Sequence, residues 1–278
     1  MPKVPHSAGK RIHIVTEDAV EFILAGYLLK ALARRWGQQG HVVTVGETSH
    51  FPPADIACLH MDTTDLKDAF AHIAGNYPRV LNGRFLDNSK RRVSKRLLTA
   101  DSNYSGPVIL KTDANYGGLP ELRHRYPGGI PEALIARSFI DPDIDWHRVE
   151  HIPSKNYFVL DSKDTVPAPV WSNPHLVVEQ FTPEIDQNGL FCMRACLFFG
   201  RREACILLRS RSQIIAGPNV IERECLNGPA PPEVQAFKRE HGIEVRSSSS
   251  MQTRRHHSVL SMPHVITQPL AEGLRDYV

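Results

Sequence analysis

Gly106-Pro107-Val108-Ile109-Leu110-Lys111-Thr112-Asp113-Ala114-Asn115-Tyr116-Gly117-Gly118-Leu119-Pro120 is the stretch on which the reading of this chain turns. Val108 to Leu110 is a short apolar run of the kind buried in a strand, Lys111 ends it, and a Gly-Gly pair follows inside a polar loop. A lysine is costly to bury alone, so one leaving an apolar strand needs an anionic partner or a route to water. Glycines let backbone N–H groups turn inward and approach phosphate oxygens with no side chain in the way. Together these features point to a nucleotide phosphate site. Taken alone they also fit a lysine snorkelling from a strand end before an ordinary hairpin turn, so the surrounding chain has to decide.

The chain has 278 residues, 41% of them hydrophobic and 23% charged, which is ordinary for a globular protein of one large or two smaller domains. A formal net charge of +3 is too mild to signal a nucleic-acid partner. Five cysteines, Cys58, Cys192, Cys196, Cys205 and Cys225, are odd in number and form no C-x-x-C pair. Several lie in apolar, strand-like surroundings where a thiol behaves as a small hydrophobe, so the expectation is a reducing cytoplasm and no structural zinc. Met1 to Lys10 lacks an apolar signal region, and no apolar run approaches the length of a membrane span. The expected partners are small molecules, with no membrane, and oligomeric state is not legible.

Upstream of the opening stretch, Arg11 to Thr16 has the β-branched run of a strand. Asp18 then caps an expected long helix with Ile23, Leu24, Tyr27, Leu28, Ala31 and Leu32 at helical spacing, stopped by Gly37 and Gly40. His41 to Val45 and Asp55 to Met61 read as strands, Thr64 to Ala74 as a second helix, and Arg79 to Leu81 as a fourth strand. Alternating strands and helices imply a parallel sheet covered on both faces, so a small α/β domain is expected over 1–88. Its first βα turn, Thr16 to Asp18, has no glycine, which argues against a nucleotide-sugar enzyme built on a dinucleotide-binding fold. Asn88 or Ser89 then caps a helix starting at Lys90, with Val93, Leu97 and Leu98 expected on its inner face. Lys90 sits in the first turn, where the helix dipole disfavours a cation and a bound anion would offset the cost.

Downstream, Tyr157 to Leu160 reads as a strand, and Val166 to Trp171 as extended but too rich in proline for a central strand. Leu176 to Phe181 is an apolar strand running into a hinge with Glu179, Glu184 and Asp186. Leu190 to Phe199 is a long apolar strand with one charge, Arg194, at its middle, and Ala204 to Leu208 returns antiparallel to it. In a strand apolar on both faces that arginine needs an anionic partner; on a solvent-facing side it needs none. Pro231 to His241 reads as a helix opened by proline and ended by Gly242.

In this order the parts resemble the ATP-grasp superfamily of carboxylate–amine and carboxylate–thiol ligases, over roughly residues 79–244 and with a small α/β domain in front as that family usually has. The resemblance lies in order and spacing rather than in any one motif. It implies an α/β (α+β) fold with nucleotide-binding lobes over 89–244. Lys90 and Lys111 would contact phosphates, and Gly117 and Gly118 would fold over them. Glu179, Gln180 and Phe181 would form the adenine hinge, Glu184 (or Asp186) would take the ribose, and Arg194 would be the basic residue facing the reacting groups. The cofactors implied are ATP and Mg2+, and the chemistry is phosphorylation of a carboxylate followed by attack of an amine or thiol on the acyl phosphate.

The C-terminal segment, 245–278, departs from that pattern. From Val245 to Ala271 the chain has no Asp or Glu, where the family places the acidic strands that bind magnesium, a cation that prefers carboxylate oxygens. His256 and His257 are adjacent and point to different faces of any regular element. The expectation is an irregular basic segment without metal ligands. Three explanations stand side by side: a degenerate, catalytically inactive nucleotide-binding protein, a basic tail contacting phosphate or nucleic acid, or a stretch translated out of its ancestral frame. Leu270 to Tyr277 restores a short amphipathic pattern.

Overall fold

The computed structural model describes residues 9–24, 27–139 and 141–249. The N-terminal part runs β1 (Arg11–Thr16), α1 (Ala19–Leu24), α2 (Leu28–Gln38), β2 (Val42–Glu47), β3 (Ile56–Leu59), α3 (Lys67–Ala74) and β4 (Val80–Leu81). The four strands form an all-parallel sheet in the order β2-β1-β3-β4. On one face Ile12, Ile14, Ile56 and Cys58 meet Leu28, Leu29, Leu32 and Trp36 of α2. On the other, Val15, Ala57 and Leu59 meet Ile73 of α3. Burial on both faces accounts for the nearly continuous burial of β1 and β3, whereas the edge strand β2 is exposed at alternate residues. The single long helix expected after Asp18 is instead two. Tyr27 is extended immediately before α2, and Ile23 and Leu24 of α1 are exposed while Leu28 and Leu32 of α2 are buried.

The middle part runs α4 (Lys90–Val93), β5 (Leu97–Leu98), β6 (Val108–Thr112), α5 (Leu119–Arg125), β7 (Phe158–Leu160), α6 (Ala168–Ser172) and β8 (Leu176–Gln180). Its strands form an antiparallel sheet ordered β5-β8-β6-β7, with β6 buried along its whole length. Two expectations are corrected here. The helix at Lys90 is a single turn, and Leu97 and Leu98 leave it to pair with Glu179 and Val178 as an edge strand. Val166 to Trp171 is not extended throughout, because Ala168–Ser172 forms a helical turn with Pro169 in its first turn, where the missing N–H costs nothing.

The last part runs β9 (Glu184–Ile185), β10 (Phe191–Phe199), β11 (Arg202–Ser210), β12 (Val220–Leu226), α7 (Pro232–Glu240) and β13 (Val245–Ser249). Here β12-β11-β10-β13 form a second antiparallel sheet, with β9 added on β10. The sequence reading missed β12, whose residues are mostly exposed and so show no apolar face. It also expected irregular backbone from Val245; instead Val245–Ser249 pairs antiparallel with Phe199 to Ala195. The rest of the C-terminal segment, including His256, His257 and Leu270 to Tyr277, lies outside the described residues. The cysteines were expected as thiols, but the β10/β11 register sets Cys196 directly opposite Cys205, Cα to Cα 4.2 Å, and the two form a disulfide. Cys58, Cys192 and Cys225 are thiols. One core cluster joins the first sheet to the last: Met193, Leu197 and Phe199 of β10 pack with the same α2 side chains that cover β1, and the Trp36 and Phe199 rings lie 5.0 Å apart.

Candidate nucleotide site

Lys111 and Glu179 lie diagonally across β6 and β8, since Glu179 is opposite Ile109 and Lys111 opposite Val177. Alternation puts both on one face of the sheet, and their side chains are only 5% and 6% exposed with Nζ to Oε2 at 2.5 Å. The sequence left this lysine either an anionic partner or a route to water, and in the fold Glu179 is its partner. Burial pushes the Glu179 carboxyl up; the Lys111 ammonium, a Ser94 hydrogen bond and the Lys90 charge outweigh it and hold the carboxyl below its ordinary value.

Lys90 reaches the same place from the turn of α4. Ser89 caps that turn, its Oγ accepting from Arg92 N, and Lys90 N donates to Asp113 O beyond the end of β6. Lys90 is 5% exposed, and its Nζ donates to the carbonyls of Asp113 (3.2 Å) and Ala114 (2.8 Å). The neighbouring Arg91 straps the turn to the sheet: Asp113 Oδ1 accepts from its N–H, and its guanidinium donates to Leu176 O. The ring of Tyr157, buried just before β7, lies 6.0 Å from Lys90 Nζ and 5.9 Å from Lys111 Nζ. The electron-rich face of a tyrosine offsets some of the repulsion of two buried cations. Sequence reasoning treated Tyr157 only as the start of a strand; nothing local marks a tyrosine 46 positions after Lys111 as its neighbour.

Gly117 and Gly118 are buried, and with Tyr116 they make three successive residues in the left-handed region, at φ 51° for Tyr116, 69° for Gly117 and 78° for Gly118. The loop leads into α5, not into the return strand of a hairpin. A Cβ on Gly117 would meet Ile152 O at 2.8 Å and His151 Nδ1 at 2.9 Å, so this glycine is required by close approach of the 150–152 backbone as well as by its φ. Asn115 ties the loop to the first sheet, donating from Nδ2 to Asp62 O and from N to Thr64 Oγ1.

The hinge residues follow Lys111's partner. Gln180 N donates to Arg96 O and Phe181 N to Pro107 O, and Phe181 is buried in the middle core. Glu184 and Arg194 form a two-pronged ion pair, Nη2 to Oε1 at 2.7 Å and Nη1 to Oε2, with both side chains partly exposed. The anionic partner that Arg194 needs is therefore the carboxylate expected to take a ribose. Beside them Arg209 of β11 bonds Asp186 at 3.1 Å and Glu224 at 2.8 Å. Arg209 was not singled out from sequence, although its place opposite Cys192 puts it on the same sheet face as Arg194. The structure thus brings Lys90, Lys111 and Glu179 together, and pairs Glu184 with Arg194.

The two ammonium groups, nearly out of water, are the positive charges that an anionic ligand would meet here, one paired with Glu179 and the other bonded to the carbonyls of Asp113 and Ala114. Among the described residues no three or more His, Cys, Asp or Glu are grouped so as to hold a metal. No helix among them is long and apolar enough to cross a membrane.

No family model matches the chain, and no curated protein does. Solved structures similar to it include the D-cycloserine synthetase DcsG, at 10% identity and a TM-score of 0.48 over 95% of this chain and 99% of that one. The RimK domain protein ATP-grasp from Sphaerobacter thermophilus is 13% identical at TM-score 0.46, over 96% of this chain and 99% of that one. The ATP-grasp ligase PsnB, complexed with minimal precursor, Mg and ADP, is 11% identical at TM-score 0.41, over 100% of this chain and 99% of that one. Two of these structures, the RimK domain protein and PsnB, are of ATP-grasp proteins, and each match spans nearly the whole of this chain.

Proposed function

We propose that the chain binds ATP and, as a ligase of ATP-grasp type, uses it to activate a carboxylate for attack by an amine or thiol. The observation that carries this reading is the buried Lys111–Glu179 pair with Lys90 beside it: two cations held out of water at a loop rich in left-handed backbone. Lys90 and Lys111 hold the phosphates, with the Gly117–Gly118 backbone alongside. Glu179, Gln180 and Phe181 line the adenine, and Glu184 takes the ribose hydroxyls in exchange for Arg194. Released from Glu184, Arg194 faces the reacting carboxylate. A carboxylate oxygen attacks the terminal phosphorus, the bond to ADP breaks, and an acyl phosphate forms. The amine or thiol then attacks the acyl carbon, loses its proton, and expels phosphate. Positive charge from lysine and arginine favours the phosphoryl transfer because negative charge accumulates on the transferring group.

A second reading is a nucleotide-binding protein without catalysis, favoured by the absence of any Asp or Glu from Val245 to Ala271. Isothermal titration with ATP, with and without magnesium, and an assay for ADP release separate the two. Binding strengthened by magnesium together with substrate-dependent ADP release supports the ligase. Binding indifferent to magnesium with no ADP released supports the inactive binder, and no binding removes both.

A further inference from the structure

We infer that His151 is a positioning residue that clamps the Tyr116–Gly118 loop in the shape needed to meet a nucleotide's phosphates, an inference resting on the ATP-binding reading above. Its Nδ1 lies 2.7 Å from the carbonyl of Gly117 and, because a carbonyl only accepts, it is Nδ1–H that donates. The imidazole is buried, as are the two glycines. The fit is mutual, since a side chain at Gly117 would collide with the imidazole and with the next carbonyl.

The clamp is anchored on both sides of His151. Ile152 N donates to Thr112 Oγ1 at 2.8 Å, at the end of the strand that carries Lys111. His151 O accepts from Ala136 N, and Ile135 and His151 form a parallel bridge. The ring is therefore fixed relative to Lys111, and the loop relative to the ring. Three successive left-handed residues, one of them a tyrosine, are a conformation that the surroundings must impose. His151 supplies a rigid, buried donor at the middle of that run. Burial favours the neutral ring against the opposing pull of the Gly117 hydrogen bond, and the charges of Arg123 and Arg137 act in the same direction as burial.

ATP titration and hydrogen exchange of the loop amides, residues 115–119, test the role in the full-length chain. In His151→Ala the loop amides exchange at least tenfold faster and ATP affinity falls about tenfold, the scale expected when one buried hydrogen bond to a ligand-binding loop is lost. His151→Asn, whose side-chain amide nitrogen takes the place of Nδ1, restores most of both, whereas His151→Gln, whose nitrogen falls nearer Nε2, does not. Lys111→Met combined with Glu179→Leu, which strands no charge, serves as the contrast, losing ATP affinity with unchanged exchange at the loop. A folded His151→Ala chain with wild-type ATP affinity overturns the positioning role while leaving the nucleotide reading intact. Failure of the wild-type chain to bind ATP overturns the nucleotide reading and the role with it. If His151→Ala does not fold, the comparison of Asn with Gln carries the test, and equal behaviour of the two overturns the role.

Discussion

The buried pair Lys111–Glu179 sits where one substitution has the largest effect. Removing only the carboxylate, as in Glu179→Gln, leaves an ammonium in an apolar sheet with weaker compensation, and the expected cost is about 3–5 kcal/mol of unfolding free energy. Lys111→Met combined with Glu179→Leu is expected to cost less than Glu179→Gln alone, because no charge is left behind; urea denaturation of the two variants and the unsubstituted chain measures the difference. Because Glu179 is held below its ordinary value, its contribution is complete above the carboxyl's unfolded value, about 4.3, and is lost as pH falls through the lower folded one. His13 has the opposite chemistry and the same direction of pH dependence. It is fully buried in β1, its Nδ1 is 2.8 Å from Thr44 Oγ1, and burial with the nearby His50 lowers its pKa. The unfolded chain therefore takes up a proton before the folded one does. Stability is full above about pH 6.5, the ordinary histidine value, and declines as pH falls below it. Denaturation at pH 7.5 and 5.5 is expected to show that His13→Gln narrows the difference between the two conditions.

At the scale of elements, the β6–loop–α5 segment shows what could and could not be read in advance. Val108 to Leu110 declared a buried strand by composition alone, and the cost of burying Lys111 left it either an anionic partner or a route to water. Which carboxylate it would be was not legible, because Glu179 is 68 positions away and becomes a neighbour only through the β6/β8 register. Gly117 was legible as a glycine with a purpose, but sequence suggested an approach to phosphate, and the structure adds an approach to Ile152 O and His151. Gly117→Ala is accordingly expected to destabilise the fold by about 2 kcal/mol or more, from the left-handed φ and the backbone clash together. Gly128→Ala, a site with nothing within 4 Å and no unusual φ, is expected to change stability by less than about 0.5 kcal/mol. Thermal melts of the pair read this contrast. The single-turn α4 and the two-part α1/α2 were overread from periodicity. Apolar spacing such as Val93, Leu97 and Leu98 continues smoothly across a helix-to-strand change when both elements face the same core.

For the whole molecule, α2 is the piece that makes the first and last sheets one body. Its apolar face covers β1 and β3, and the same residues meet Met193, Leu197 and Phe199 of β10. Trp36, with no exposed surface and its ring against Phe199, is at the centre of this junction. Trp36→Ala is expected to cost about 3–5 kcal/mol and to lower the denaturation midpoint of both sheets together. Hydrogen exchange followed separately in β1 and β10 checks this: loss of protection confined to one sheet would show that the two do not share a core.

What the sequence by itself determined was the alternating α/β start, the buried strand that carries Lys111, and the apolar strand that carries Glu179. These are set by local periodicity and by the cost of burying charge, which act within a few residues of each other. The tertiary structure alone decided that Glu179 answers Lys111, that Glu184 answers Arg194, that Cys196 faces Cys205, and that His151 meets Gly117. Lys111 and Glu179 are 68 positions apart and His151 and Gly117 are 34, while Glu184 with Arg194 and Cys196 with Cys205 are 10 and 9 apart within one antiparallel sheet; all four depend on which residues register and close packing set against each other, which neither partner shows alone.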